Sequence, residues 1–345
     1  VPGGFAPPPG PAQQGVERER SHGSTPAALA RGVLMPALVA TVIGLAFVVV
    51  FLDAFHAPVP HDLPVGVVGS PAEVDDVRGA LAEQAPGRFA VERVPDVAAG
   101  RTAVGHRDLY GVLVPGAPAQ LLLAGANGQG VTTTLTEALT PLAGGELVPQ
   151  DLRPLSSGDT RGLGIFYGAF GVVLGGFLFG ITSYQAAPKL PLRWRVVSIL
   201  LFAAVSGALV GWAAAVLFAA VPVGFGQVAV LVGLLALATA APAALALRVI
   251  GSGGTFVTSL GLVILGNATS TGNLPAEYLP PWLHPLAELL PPGVAVRALR
   301  GAAYFAGDGV HRAYGVLALW SVVPLLLIAV LDVLGRRRAA AGAAR

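Results

Sequence analysis

Six stretches of this chain run on with almost no charge: Val33–Phe55, Leu163–Ser183, Val196–Ala220, Val228–Leu247, Thr255–Thr271 and Tyr314–Val333. The only ionised side chains inside them are Asp53 and Asp332, both near an end. A bilayer core of about 30 Å takes roughly 20 helical residues to cross, and inside it every backbone N–H and C=O must be satisfied by the segment itself. Such runs therefore fold as transmembrane helices. Composition agrees, because only 12% of residues are charged against 54% hydrophobic, with a mean hydropathy of +0.71. A soluble domain carries roughly 25% charged residues. The first stretch exceeds the 7–15 apolar residues usual in a signal peptide, and no A-x-A site follows it, so it reads as an uncleaved anchor. The stretch Thr255–Thr271 is the weakest. Its strongly apolar part ends near Ala268, and it either stops short of the far surface or lines a polar cavity.

Between the first two spans, His56–Arg161 is different in kind. Short apolar runs alternate with charge, Gly and Pro, as in soluble domains. Strands are expected at Leu63–Val68, Phe89–Val94, Leu109–Val114 and Ala119–Ala124, and helices at Pro71–Gln84, Val97–Gly105 and Thr132–Leu142. The fold expected is an α-helical integral membrane protein of about six transmembrane helices, with a small α/β extracytoplasmic domain between helices one and two. Residues 1–30 read as a disordered tail, 162–334 as a five-helix membrane domain and 335–345 as a basic tail. Within the membrane domain, residues 274–312 are rich in Pro and aromatics and suit short helices at the outer membrane interface.

Basic residues set the orientation. Arg18, Arg20 and Arg31 precede span one; Lys189, Arg193 and Arg195 lie between spans two and three; Arg248 ends span four; Arg336, Arg337 and Arg338 follow span six. Six spans with both termini inside place all of these in the cytoplasm. The inserted domain holds 7 Arg against 12 Asp and Glu, which suits the outside. Arg297, Arg300 and Arg312 dissent, in a long outer segment where the rule is weak.

Several chemistries are excluded or weakened. The chain has no cysteine, hence no disulfide, thiolate zinc site or cysteine nucleophile. No acid, lysine or histidine sits mid-span, which argues against a proton- or sodium-coupled carrier. His106-Arg107-Asp108-Leu109 mimics a kinase catalytic loop, but Leu113 stands where the metal-binding Asn belongs. Gly251–Thr255 lacks the spacing and the lysine of a phosphate loop. His56, His61 and Asp62 cluster beyond span one, where a solvated loop is the ordinary reading and a metal site the sharper one. No cofactor, metal, nucleic acid or catalytic motif is indicated. A single lysine among 21 basic residues, with abundant Ala, Gly and Pro, reads as GC-rich, bacterial coding. Glycines recur at four-residue spacing at 164/168, 171/175, 176/180 and 207/211, the pattern that lets helices approach closely in lipid, within one chain or between two.

Three stretches carry a family resemblance: Leu63–Val68 after span one, Asp108–Pro115 (DLYGVLVP), and Leu279–Pro292 (LPPWLHPLAELLPP) followed by Val296–Arg300. With one span, an α/β domain and five further spans, the chain resembles the ABC-2 type transporter permeases, and among them the group named after the phage infection protein (YhgE/Pip-like). The resemblance implies a homodimeric exporter subunit that uses a separate cytoplasmic ATPase. On that reading the partner docks on the loop Gln185–Arg195 (QAAPKLPLRWR), the only substantial cytoplasmic loop between spans. Pro188 and Pro191 stiffen it, Trp194 offers an aromatic anchor, and Lys189, Arg193 and Arg195 meet acidic groups. The bland alternative is that these charges hold topology and meet lipid headgroups. The alternative function is an envelope protein whose ectodomain binds a partner or acts as a receptor.

Overall fold

The computed structural model of the protein describes residues 30–272 and 274–343. Apart from Ala30, the tail expected at 1–30 lies outside the described residues. A π-helical turn, Ala30–Leu34, opens into helix α1 (Met35–Phe55). The sheet-bearing part follows as β1 (Leu63–Val68), α2 (Pro71–Gln84), β2 (Phe89–Val94), α3 (Val97–His106), β3 (Gly111–Val114), β4 (Ala119–Leu123), α4 (Gln129–Leu139) and β5 (Leu147–Asp151).

Local chemistry sets these boundaries. Ser70 accepts from the Glu73 N–H, while Glu73 Oε2 accepts from the Ser70 N–H at 2.7 Å, a reciprocal capping box that starts α2. Asp96 caps α3 in the same manner, accepting from the Ala99 N–H at 2.8 Å. The strands form one mixed sheet in the order β2-β1-β3-β4-β5. Three pairs are parallel, and β3 with β4 is antiparallel. β5 has no counterpart in the sequence reading. It contains Pro149 and lies at the sheet edge, where a missing N–H is tolerated.

Each face of the sheet is buried. On one, Leu63, Val65 and Val67 of β1 pack with Val74 and Leu81 of α2 and with Val131, Leu135 and Leu139 of α4. Leu274 and Tyr278, from far along the chain, complete this core. On the other face Val94, Val104, Val112 and Leu122 form a core continuous with that of the helices. A fully buried Leu or Val contributes about 1.5–3 kcal/mol, so this sheet holds without cross-links.

The helical part comprises α5 (Gly164–Ala186), α6 (Leu192–Trp212, extended by a π-helical turn to Leu217), α7 (Phe225–Ile250), α8 (Gly253–Thr258, extended by π-helical turns to Gly266), α9 (His284–Leu289), α10 (Pro291–Tyr304) and α11 (Val310–Ala343). Among the described residues, five helices are long and apolar enough to cross a membrane: Gly32–Phe55, Gly164–Ala186, Leu192–Leu217, Phe225–Ile250 and Val310–Arg338. The expected sixth, Gly253–Gly266, is shorter. It leaves the end where Arg248 lies, and Gly272 arrives beside Gly162, at the opposite end of α5, where Arg300 bonds both carbonyls. Arg336, Arg337 and Arg338 extend α11 rather than forming a separate tail.

α7 is the central helix, flanked by α5, α6 and α11. Glycine makes this possible. A Cβ on Gly207 would lie 2.5 Å from the Ala229 carbonyl oxygen, and one on Gly180 would lie 2.8 Å from the Ala243 Cβ. The glycine pairs at 176/180 and 207/211 thus pack within the chain, whereas Gly171 has open space before it. Pro242 and Pro324 sit inside α7 and α11, and Pro222 sits in the turn before α7.

Candidate functional site

The loop between α5 and α6 is folded back on itself. α5 ends where the Ala187 N–H bonds the Ser183 carbonyl, and the Leu190 N–H returns to the Ala187 carbonyl at 3.1 Å. Pro191 then starts α6, its carbonyl accepting from the N–H groups of Trp194 and Arg195. Arg195 turns inward and donates from Nη2 to the Ala187 carbonyl at 2.9 Å, which ties the loop's exit to its entry.

This tie divides the six residues expected to meet a partner. Pro188, Lys189, Pro191 and Arg195 line a cavity of about 530 Å³. Arg193 and Trp194 are not in its wall. The Trp194 side is 54% exposed, and the Arg193 guanidinium carbon lies 5.8 Å from the Trp194 ring centre, within cation–π range. The cavity brings in residues that the sequence reading used only for topology or left aside. Arg248 ends α7, and Asp332 and Arg336 lie on α11. Arg248 pairs with Asp332 at 3.0 Å. Three helix ends and one loop therefore carry their charges to one place. The signal was present, because Lys189, Arg195, Arg248 and Arg336 are members of three of the basic clusters that fixed the expected orientation.

At the opposite end a second polar cluster joins the sheet to the helices. Arg107 follows α3 in the left-handed region, with φ 64°, and its side chain is 7% exposed. It contacts Asp308 at 2.8 Å, lies 4.6 Å over the Phe305 ring and donates to the Arg297 carbonyl at 3.3 Å. Neither Arg107 Nε nor Asp308 Oδ2 has a well-aligned hydrogen bond, so the contact is an ion pair in poor hydrogen-bond geometry. Arg297 reaches the same carboxylate at 3.5 Å. The turn bearing Asp308 sits so close to α10 that no side chain fits at Gly301. Tyr110 donates to Glu277 at 2.9 Å; burial, then the Glu277 charge, pushes its phenol well above the usual range. Burial pulls Arg107 down and brings Arg300 down to about 10.

Within the outer segment most apolar side chains meet protein. Trp282 is exposed and donates to Asp53 at 3.0 Å. Tyr278, Leu279, Leu283, Phe305 and most of α10 are buried in protein. The three dissenting arginines have structural partners: Arg297 pairs with Asp308, Arg300 caps the Gly272 carbonyl at 2.7 Å, and Arg312 pairs with Glu288 at 2.8 Å. His61 bonds the Glu277 carbonyl through its ring, and His56 bonds the Leu52 carbonyl. Among the described residues no group of three or more His, Asp and Glu is placed to hold a metal.

Compared with protein-family models, with curated proteins and with solved structures, the chain matches none.

Proposed function

We propose that this chain is the membrane subunit of an ABC-2-type exporter that works as a homodimer with a separate ATPase. Six crossings, counting the short α8 segment as one, put both termini and the α5–α6 loop in the cytoplasm and the sheet outside. The observation that carries the reading is the α5–α6 loop. The Arg195 bond to the Ala187 carbonyl makes it a stiff unit continuous with two long helices, and it presents Trp194 and Arg193 outward. An exposed aromatic with an adjacent guanidinium is the composition of an interface anchor. A push on such a loop passes directly into α5 and α6. At the far end, the buried Arg107–Asp308 pair would carry a displacement of the helices into the sheet.

The test is co-purification of an ATPase with the solubilised protein, comparing Trp194→Ala with Arg193→Lys. Lysine keeps the topological charge, so Arg193→Lys inserts normally. Trp194→Ala is expected to insert and express like the parent and to lose the partner. Retention of the partner, with its stimulated ATPase activity, removes the contact. If no ATPase accompanies the parent protein, the exporter reading gives way to that of an envelope protein with a partner-binding ectodomain.

A further inference from the structure

The charges in the cavity beneath the α5–α6 loop do not balance. Lys189, Arg195, Arg248 and Arg336 face a single carboxylate, Asp332. That carboxylate is already engaged by Arg248 at 3.0 Å. Lys189 makes no salt bridge among the described residues, and Arg336 reaches only the Asp332 carbonyl, at 3.4 Å. Arg195 is 7% exposed, with one hydrogen bond, to a neutral carbonyl. Cations gathered around one cavity attract an anion placed among them. Topology alone does not require this convergence, since the positive-inside rule counts charges in a loop and is indifferent to where their side chains point.

The cavity is also amphipathic. Ile328 and Leu192 line its wall over an apolar core of Ile199, Ala240 and Ala244. It lies where α6, α7 and α11 end. On the membrane side of Asp332, Leu327, Val330 and Leu331 of α11 are exposed apolar side chains. A volume of about 530 Å³ exceeds what an inorganic ion fills and suits a phosphate with its glycerol. Basic recesses between transmembrane helices are the form that anionic headgroup sites take.

We infer that this cavity binds the phosphate headgroup of an anionic phospholipid, its acyl chains lying along the exposed apolar flank of α11. The lipid neutralises the convergent cations and fastens the loop to the ends of α7 and α11. Trp194 and Arg193, outside the cavity, stay free for a protein partner, so the lipid site stands independently of the exporter reading.

The experiment uses the full chain in mixed micelles containing phosphatidylglycerol and phosphatidylcholine, with retained lipid measured by native mass spectrometry. The parent protein should retain phosphatidylglycerol in preference. The double variant Lys189→Gln/Arg336→Gln should bind it about thirtyfold less tightly, from about one Lys or Arg contribution each. The control Arg337→Gln/Arg338→Gln removes the same charge from exposed positions outside the cavity and should hold the lipid as the parent does. Equal weakening in both variants would reduce the effect to surface electrostatics and overturn the site. Displacement of the lipid by millimolar inorganic phosphate would assign the cavity to a soluble phosphate and overturn the lipid assignment. Loss of a co-purifying ATPase from the double variant, with lipid retained, would do the same in favour of protein docking. Should the double variant melt early, Lys189→Gln alone, on an exposed loop residue, should weaken retention about fivefold. Trp194→Ala should leave lipid retention unchanged, which separates this site from the partner contact.

Discussion

Replacing Gly207 by Ala should destabilise the helical part, although the same substitution in an unconstrained helix is favourable. A Cβ at position 207 would lie 2.5 Å from the Ala229 carbonyl oxygen and 3.1 Å from the Gly233 backbone, where ordinary contact begins at 3.4 Å. The obstacles are backbone atoms, which have no rotamer to escape into, so α6 and α7 must part by about 0.9 Å at that point. A gap of that size forfeits roughly a quarter to a half of each facing dispersion contact. Overpacking of this kind costs about 1–3 kcal/mol, while removing glycine from a helix returns about 0.8–1 kcal/mol. Because the overlap is with rigid backbone, the cost falls in the upper part of that range, and the net expectation is a loss of about 1–2 kcal/mol. At Gly211 the nearest atoms are 3.0 Å away, a smaller overlap, and loss and gain should nearly cancel. Gly171 meets nothing within 4 Å, and Gly171→Ala should raise stability by up to about 1 kcal/mol. Unfolding of the full chain in detergent, followed by tryptophan fluorescence against denaturant, measures all three. A Gly207→Ala protein as stable as the parent would refute the close α6–α7 approach. Destabilisation by Gly171→Ala instead would move the tight interface to that face, as between two copies.

Removing Asp308 by Asp308→Ala should cost about 3–5 kcal/mol, because it leaves the buried Arg107 without its counter-charge; Arg107→Met, which removes the charge itself, should cost less, and a reversal of that order in thermal melts would show that the pair is not desolvated. Ser70→Ala should cost about 1 kcal/mol by loss of the α2 cap. Its pH dependence is also signed: Ser70's backbone N–H, then its hydroxyl, hold the Glu73 carboxyl below its usual range. The parent therefore keeps that contribution above the ordinary carboxylate range and loses it as pH falls through the lowered value, whereas Ser70→Ala should show a flatter acid limb in melting temperature. Single cysteines placed in this thiol-free chain at Ser70 and Gln129 should label from outside the cell and one at Ala341 should not; external labelling at Ala341 would end the both-termini-inside arrangement.

The sheet was readable because its strands are apolar runs bounded by turn residues and two of its helices, α2 and α3, carry caps at their starts. β5 escaped because LVPQD offers two apolar residues and a proline. It is held by pairing to β4 and by Asp151, which accepts from the N–H groups of Gly125 and Arg153. Residues Leu109 and Tyr110 read as strand from their apolar character, but the ladder begins at Gly111 and they are buried in front of it. The α5–α6 loop stood out through its prolines and basic residues. That Arg195 would point inward while Arg193 and Trp194 stay outside is decided by the turn at Ala187, which composition does not encode. The cavity required three helix ends to meet, a tertiary fact. In the proline-rich outer segment the same limit holds: apolar rings suit a membrane interface and a protein core equally, and composition does not say which of them are buried in protein.

The core beneath β1 is closed by Leu274 and Tyr278, residues that the ribosome reaches only after about 127 more have followed Asp151. At about 5–20 residues per second, that is an interval of roughly 6–25 s. During it the sheet is translated but lacks two of its own core side chains, while α5, α6, α7 and the α8 segment are still being made. Synthesis of those helices is therefore a step in folding the sheet, and a chain arrested before residue 278 carries a sheet with an open apolar face. Quality control acting on that face would sense, through the sheet, whether the helical part has been completed.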